Sequence, residues 1–193
     1  MNIVLASASP RRREILQQLD ITFEVLPADV DESSNEQDAA ALVRLLSHRK
    51  ACATRALLEQ QGRLQADTVI IGCDTVVCCD GCILGKPQDE ADAARMLSML
   101  GGKGHTVISG LTVLCGDACV SDHEVTRVFF DTLSPADIAA YIATGEPSDK
   151  AGAYAIQGKA GRFIRGIEGD YFNVVGLPVH LLFDAARRLG IEL

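Results

Sequence analysis

Two kinds of apolar pattern run along this chain: unbroken β-branched stretches, and repeats at spacings of three and four. The most apolar stretch covers residues 69–77 and is interrupted by one carboxylate, Asp74. A run of this kind predicts a strand buried on both faces. Ile3-Val4-Leu5-Ala6 predicts a second, shorter buried strand, and residues 21–25 alternate as a half-buried one. Between residues 38 and 60, Leu42, Leu46, Ala53 and Leu57 recur at helical spacing and predict a long amphipathic helix. Residues 89–100 predict another, with Ala93, Met96, Leu97 and Leu100 inward and Gly101-Gly102 as its stop. Asp80-Gly81 is a two-residue hairpin signal. Residues 106–115 and 120–130 read as a strand and its antiparallel return. Ser134-Pro135-Ala136-Asp137 has the form of an N-cap box opening a helix that ends near Gly145. The last helix starts with Pro178 in its first turn and turns Leu181, Leu182, Ala185 and Leu189 inward. No repeat, low-complexity segment or linker divides the chain, so residues 1–193 are expected to form one α/β domain.

With 193 residues and 48% hydrophobic content, the chain can bury a sizeable core. A net charge of −8 argues against a nucleic-acid partner, which needs a basic face. No stretch is apolar for long enough to span a bilayer and the start does not read as a signal peptide, so a cytoplasmic protein without a membrane partner is expected. Seven cysteines in such a compartment are expected to be free thiols. Cys78-Cys79-Asp80-Gly81-Cys82 could suggest a zinc knuckle, but the hairpin signal makes these thiols neighbours on paired strands instead.

Candidate chemistry begins with Asp74. An ionised carboxylate in an apolar strand is costly unless a cation, hydrogen bonds or water receive it. A turn-capping Asp and a ligand-facing Asp both satisfy that requirement. Gly72, two residues earlier, lets a ligand or another backbone approach. Near the start, Ser7-Ala8-Ser9-Pro10 opens a helix with Ser9 at the N-cap and Pro10 at the first helical position. Arg11-Arg12-Arg13 then crowd a first turn that is already partly positive, where cations are disfavoured. Two hydroxyls, free amides and three guanidinium groups in one turn point to a phosphate site. Lys50 lies on the apolar face of the long helix, either snorkelling outward or aimed at a phosphate. Asp29, Asp31 and Glu32 form an acidic loop of hard oxygen ligands, for which magnesium is the natural bridge to a phosphate. His105 follows a glycine-rich turn and is read as structural. Residues 149–158, rich in glycine and alanine, suit a loop packed closely on a ligand.

Taken in order, these motifs resemble the Maf family of nucleoside triphosphate pyrophosphatases along essentially the whole chain. The match is carried by residues 6–12, Lys50, Gly72-Cys73-Asp74-Thr75, Gly85-Lys86-Pro87, Gly104-His105-Thr106-Val107, residues 150–158 and residues 173–178. Tyr154, Ile156 and Gln157 give the last loop the look of the dTTP/UTP branch. Cys73 stands where alanine is common and Gly101 where serine is common, and neither change removes a charge. The resemblance implies a mixed twisted sheet with flanking helices, in two lobes around a deep cleft, similar to inosine triphosphate pyrophosphatases. It implies a homodimer that requires a divalent cation, magnesium or manganese, and cleaves a nucleoside triphosphate between the α and β phosphates. It assigns Asp74 as proton acceptor and Arg11, Thr75 and Gln157 to substrate choice. Ser7, Ser9, Arg11, Arg12, Lys50 and Lys86 are then expected to hold phosphates, with Asp74 and Glu32 as metal ligands. A nucleotide-binding regulator of cell division without turnover, and an inosine/xanthosine triphosphate pyrophosphatase, remain alternative readings.

Overall fold

The computed structural model describes residues Met1–Leu193. Strands β1 (Asn2–Leu5), β2 (Glu24–Val25), β3 (Thr68–Cys79), β4 (Cys82–Leu84), β5 (Gly104–Cys115), β6 (Ala118–Phe130) and β7 (Ile164–Glu168) form one seven-stranded sheet. Its order is β2-β1-β3-β5-β6-β7, with β4 paired to β3 off that path. The sheet is mixed: β1 runs parallel to β2 and β3, whereas β3–β4 and β6–β7 are antiparallel. Helices α1 (Pro10–Gln18), α2 (Ala39–Gln60), α3 (Glu90–Leu100), α4 (Pro135–Ile142), α5 (Tyr171–Val175) and α6 (Val179–Arg188) complete the α/β architecture. None of the helices is long and apolar enough to cross a membrane.

The chain divides into two compact units. The first comprises residues 1–74, 109–124 and 176–193, and the second residues 75–108 and 125–175, so β3, β5 and β6 each contribute to both. In the first unit, Val4, Ala6, Ala51, Leu58, Ile70 and Leu114 form a core cluster. The second unit centres on the inward residues of α3, with Val128, Phe130, Tyr141, Tyr154 and Phe163. There His105 bonds through Nε2 to the Tyr154 hydroxyl at 2.8 Å and stands edge-on to Phe130. Burial pulls its pKa down to about 4, so the imidazole is neutral near pH 7 and its role is structural.

Local signals explain most boundaries. Asp89 caps α3 by accepting the Asp92 N–H at 2.7 Å, and Ser134 with Asp137 completes a capping box on α4. Asp80 and Gly81 have φ of 49° and 77°, the pair of positive values that a tight hairpin needs, and Cys79 faces Cys82 across it. The seven cysteines are free. Three expectations need correction. The alternating residues 21–25 yield only a two-residue strand. Pro178 is the N-cap of α6 rather than a first-turn residue, and Ala186 replaces Leu189 on its buried face.

The third correction concerns α2, whose buried face is Val43, Leu46, Ser47, Ala51, Thr54 and Leu58. Leu42, Ala53 and Leu57 are only half-buried. The cause is how closely the helix lies on the sheet. A Cβ added to Gly72 of β3 would land on the Ser47 carbonyl and 2.9 Å from the Ala51 Cβ. One added to Gly110 of β5 would overlap the Val43 carbonyl and come 2.7 Å from the Arg44 nitrogen. Small residues face the strands because larger ones would hold the helix away. Gly110→Ala is therefore expected to destabilise the fold by roughly 1–3 kcal/mol or more, the usual cost of overpacking. Urea unfolding would check it, and an unchanged midpoint would contradict the contact.

Candidate active site

Chain direction at the end of β1 builds the first cluster. The Ala6 N–H donates to the Ile71 carbonyl at 2.9 Å, carrying the parallel pairing one residue past the strand. The chain then leaves the sheet, and Ser9 takes the extended N-cap conformation before Pro10 at the first helical position. Ser9 makes no side-chain cap. Its N–H donates instead to Ser7 Oγ at 3.3 Å. No acidic side chain stands in the first turn, so the positive end of α1 is not offset there.

Arg12 is expected among the phosphate binders, and in the structure two of its nitrogens are engaged by the protein itself. Only 9% exposed, it donates from Nη1 to Ser7 Oγ (2.9 Å) and from Nε to the Gly176 carbonyl (2.8 Å). That carbonyl also accepts the buried Cys73 thiol at 3.2 Å, and burial pushes the thiol pKa up. The fork thus braces the Ser7 loop against the turn that precedes α6, because both acceptors are buried and need a donor. Arg11 is half-buried and Arg13 is exposed.

The second cluster lies where α2 meets β3. Asp74 is 8% exposed, and the Lys50 ammonium donates to its Oδ1 at 2.6 Å. The same ammonium pairs with Glu32 Oε1 at 2.8 Å. Lys50 thus points inward rather than snorkelling outward, and meets two carboxylates there. Its four-carbon stem reaches Asp74 because the helix backbone touches β3 two residues away, at Gly72. Of the acidic loop, only Glu32 meets Lys50, while Asp29 and Asp31 are exposed. Arg49 holds the loop by donating from Nη1 to the carbonyls of Asp31 (3.2 Å) and Ser33 (3.0 Å). Sequence reasoning passed over Arg49, whose acceptors are backbone carbonyls.

Two carboxylates converge on this one ammonium, and no three His, Cys, Asp or Glu side chains gather into a metal-binding group. Magnesium keeps several waters and takes one or two protein carboxylates plus substrate phosphates, so Asp74 and Glu32 fit it. A four-ligand structural metal has no such donor set here.

The remaining expected site residues belong to the second unit. Thr75 follows Asp74 on β3, is half-buried, and points to the other face of the strand by alternation. Lys86 is exposed in the turn after β4. That turn is bonded to the short 3₁₀ segment Ala151–Ala153, the Gly152 N–H donating to the Gly85 carbonyl at 3.0 Å. Gln157 is exposed in the segment between Ala151–Ala153 and a second 3₁₀ turn, Lys159–Phe163.

Comparison with known proteins identifies the family. Residues 2–189 match the family described as Maf-like protein. The dTTP/UTP pyrophosphatase of Pelotomaculum thermopropionicum is 48% identical over 193 residues, spanning 97% of this chain and 96% of its own. That of Clostridium acetobutylicum is 47% identical over 199 residues and spans 100% of both. Among solved structures, the Ham1 protein of Staphylococcus aureus superposes with a TM-score of 0.54 over 98% of this chain and 99% of its own. At 13% identity that is a likeness of fold. A match from residue 2 to residue 189, with relatives nearly half identical over their full length, shows that this chain belongs to the Maf family.

Proposed function

We propose that this chain hydrolyses nucleoside triphosphates, dTTP and UTP foremost, to the monophosphate and pyrophosphate, removing unwanted pyrimidine nucleotides from the pool. The observation that carries this reading is the buried Asp74 carboxylate joined through Lys50 to Glu32. The activity named for the relatives supports it. The resemblance extends the reading to a cytoplasmic homodimer.

Attack by water on the α phosphate breaks the α–β anhydride and releases pyrophosphate. The substrate already carries the charge, so the protein's part is positioning, charge neutralisation and handling of one proton. Lys50 keeps two carboxylates from repelling the incoming polyphosphate. Ser7, Ser9, Arg11 and Lys86 hold the phosphates, while Arg12 steadies Ser7 from behind. Asp74 orients the water and takes its proton. An aspartate is a weak base near neutral pH. A divalent cation held by Asp74 and Glu32 would supply charge neutralisation and a more acidic water. Thr75 and Gln157 take part in substrate choice.

Asp74→Asn is expected to lower pyrophosphate release from UTP with magnesium by at least ~10²-fold, the low end for loss of a general base. Circular dichroism should show the fold retained. Near-normal turnover in a folded Asp74→Asn protein would end the proposal, and a wild-type chain that binds UTP without releasing pyrophosphate would point to a regulator instead.

Arg11→Ala and Lys86→Ala should each weaken transition-state binding by roughly 1.5–3 kcal/mol, the range for charged hydrogen bonds. The loss should appear in kcat/KM for UTP, while UMP, which lacks the outer phosphates, binds almost as before. Equal losses for UTP and UMP would show that these residues do not read the β and γ phosphates.

Gln157 can answer uracil or thymine with one amide, its C=O accepting from N3–H and its NH₂ donating to O4. Cytosine reverses the pattern, and a mismatched edge leaves buried groups unpaired. Gln157→Ala and Gln157→Glu should therefore lower the UTP-to-CTP ratio of kcat/KM. A ratio that stays at the wild-type value would place base choice elsewhere.

A further inference from the structure

An exposed glutamine discriminates between bases only if something fixes the amide, because a free one can turn to present either pattern. The segment carrying Gln157 is fixed by a carboxylate outside it. Glu146 sits in a short 3₁₀ turn, Glu146–Asp149, just after α4. Its Oε2 accepts the Lys159 N–H at 3.1 Å, two residues beyond Gln157. Its Oε1 accepts the Tyr141 hydroxyl at 2.8 Å. That hydroxyl in turn accepts the Ala155 N–H at 3.3 Å, two residues before Gln157. Both feet of the five-residue arch therefore end on one carboxylate, directly on one side and through a phenol on the other. Within the arch, the Gly158 N–H donates to the Ala155 carbonyl at 3.1 Å.

The packing agrees. A Cβ on Gly158, the residue after Gln157, would overlap Glu146 Oε1 and lie 2.6 Å from Oε2, so the carboxylate rests directly against the arch. Tyr141 is 1% exposed and stands edge-on to Phe163, which gives the relay a rigid base. Lys150 donates to the Glu146 carbonyl at 2.8 Å and so ties down the turn itself. Burial works against charge on Glu146, but donation from Lys159, Tyr141 and Ala160 and the nearby Lys150 hold its carboxyl below the usual range.

We infer that Glu146, acting through Tyr141 and the Lys159 amide, is the positioning residue that sets the orientation of Gln157 and hence pyrimidine selectivity. The inference rests on the proposed role of Gln157 in base choice. Neither Glu146 nor Tyr141 touches phosphate or water in that scheme, so loosening the arch should act on base recognition before chemistry.

The test is kcat and KM for UTP and CTP, with magnesium, in Tyr141→Phe, Glu146→Ala, Glu146→Gln, Gln157→Ala and the Tyr141→Phe/Gln157→Ala double variant. Tyr141→Phe and Glu146→Ala should each lower the UTP-to-CTP ratio of kcat/KM by about tenfold, mainly through KM for UTP, as expected for loss of a hydrogen bond to a charged group. Glu146→Gln, which keeps one acceptor oxygen, should recover part of the ratio. The double variant should fall no further than Gln157→Ala, because the two changes act through one amide. Tyr141→Phe loses only a hydroxyl, and its melting temperature serves as the control for folding should Glu146→Ala fail to fold. A wild-type ratio in folded Tyr141→Phe, with a lowered ratio in Gln157→Ala, would falsify the positioning role and leave base choice at Gln157 intact. An unchanged ratio in Gln157→Ala overturns the base-choice reading, and the inference with it.

Discussion

The backbone contact between α2 and the sheet governs what the first unit can do. Gly72 and Gly110 let the helix lie against β3 and β5 at a distance no side chain at those positions would allow. Two consequences follow from that one closeness. The buried face of α2 carries small residues, Ser47 and Ala51, where it meets Gly72, and Ser47 is bonded to Thr112 Oγ1 at 2.9 Å rather than packed as a hydrophobe. And Lys50, at the margin of that face, meets Asp74 at ion-pair distance. A helix one layer of leucine side chains farther out would leave Asp74 as an isolated charge in an apolar strand, and isolated buried charges neutralise or unfold their surroundings.

That pair also explains the charge pattern of the N-terminal segments. Asp74 and Glu32 are both drawn to one cation, so neither carboxylate is offset alone. The arginine-rich first turn of α1 adds positive charge to a helix end that is already positive, and Arg12 turns inward to serve two buried acceptors. Charge placement that local stability disfavours is expected at functional sites and compensated elsewhere. Here Arg12 itself compensates, by bracing the loop that carries Ser7.

Much of this was legible in the sequence where the signal was local. The strand around Asp74, the Asp80-Gly81 hairpin, α3 with its inward residues and the capping box on α4 depend on neighbours within a few positions. Asp74 stood out because one carboxylate in an apolar run has few inexpensive explanations. The register of α2 was not legible, since it depends on two distant glycines, Gly72 and Gly110, that admit the helix backbone rather than a ligand. Strand β7 and helix α5 were missed because residues 164–168 carry Gly166 and Arg165 in place of clean alternation, and α5 is only five residues long. The roles of Arg12 and Arg49 escaped notice for a shared reason: both donate to backbone carbonyls, and carbonyl positions leave no trace in residue identity.

The bond from Arg12 to the Gly176 carbonyl joins residues 164 positions apart, within a unit assembled from three separate pieces of chain. In chain order the Ser7 loop lies in the first of these pieces and the turn that completes its support opens the third. Without residue 176, Arg12 would lose the Gly176 carbonyl and the Cys73 thiol would lose the same acceptor. The arginine thus ties the first piece of the unit to its third, so firm support of the Ser7 loop depends on all of them being in place.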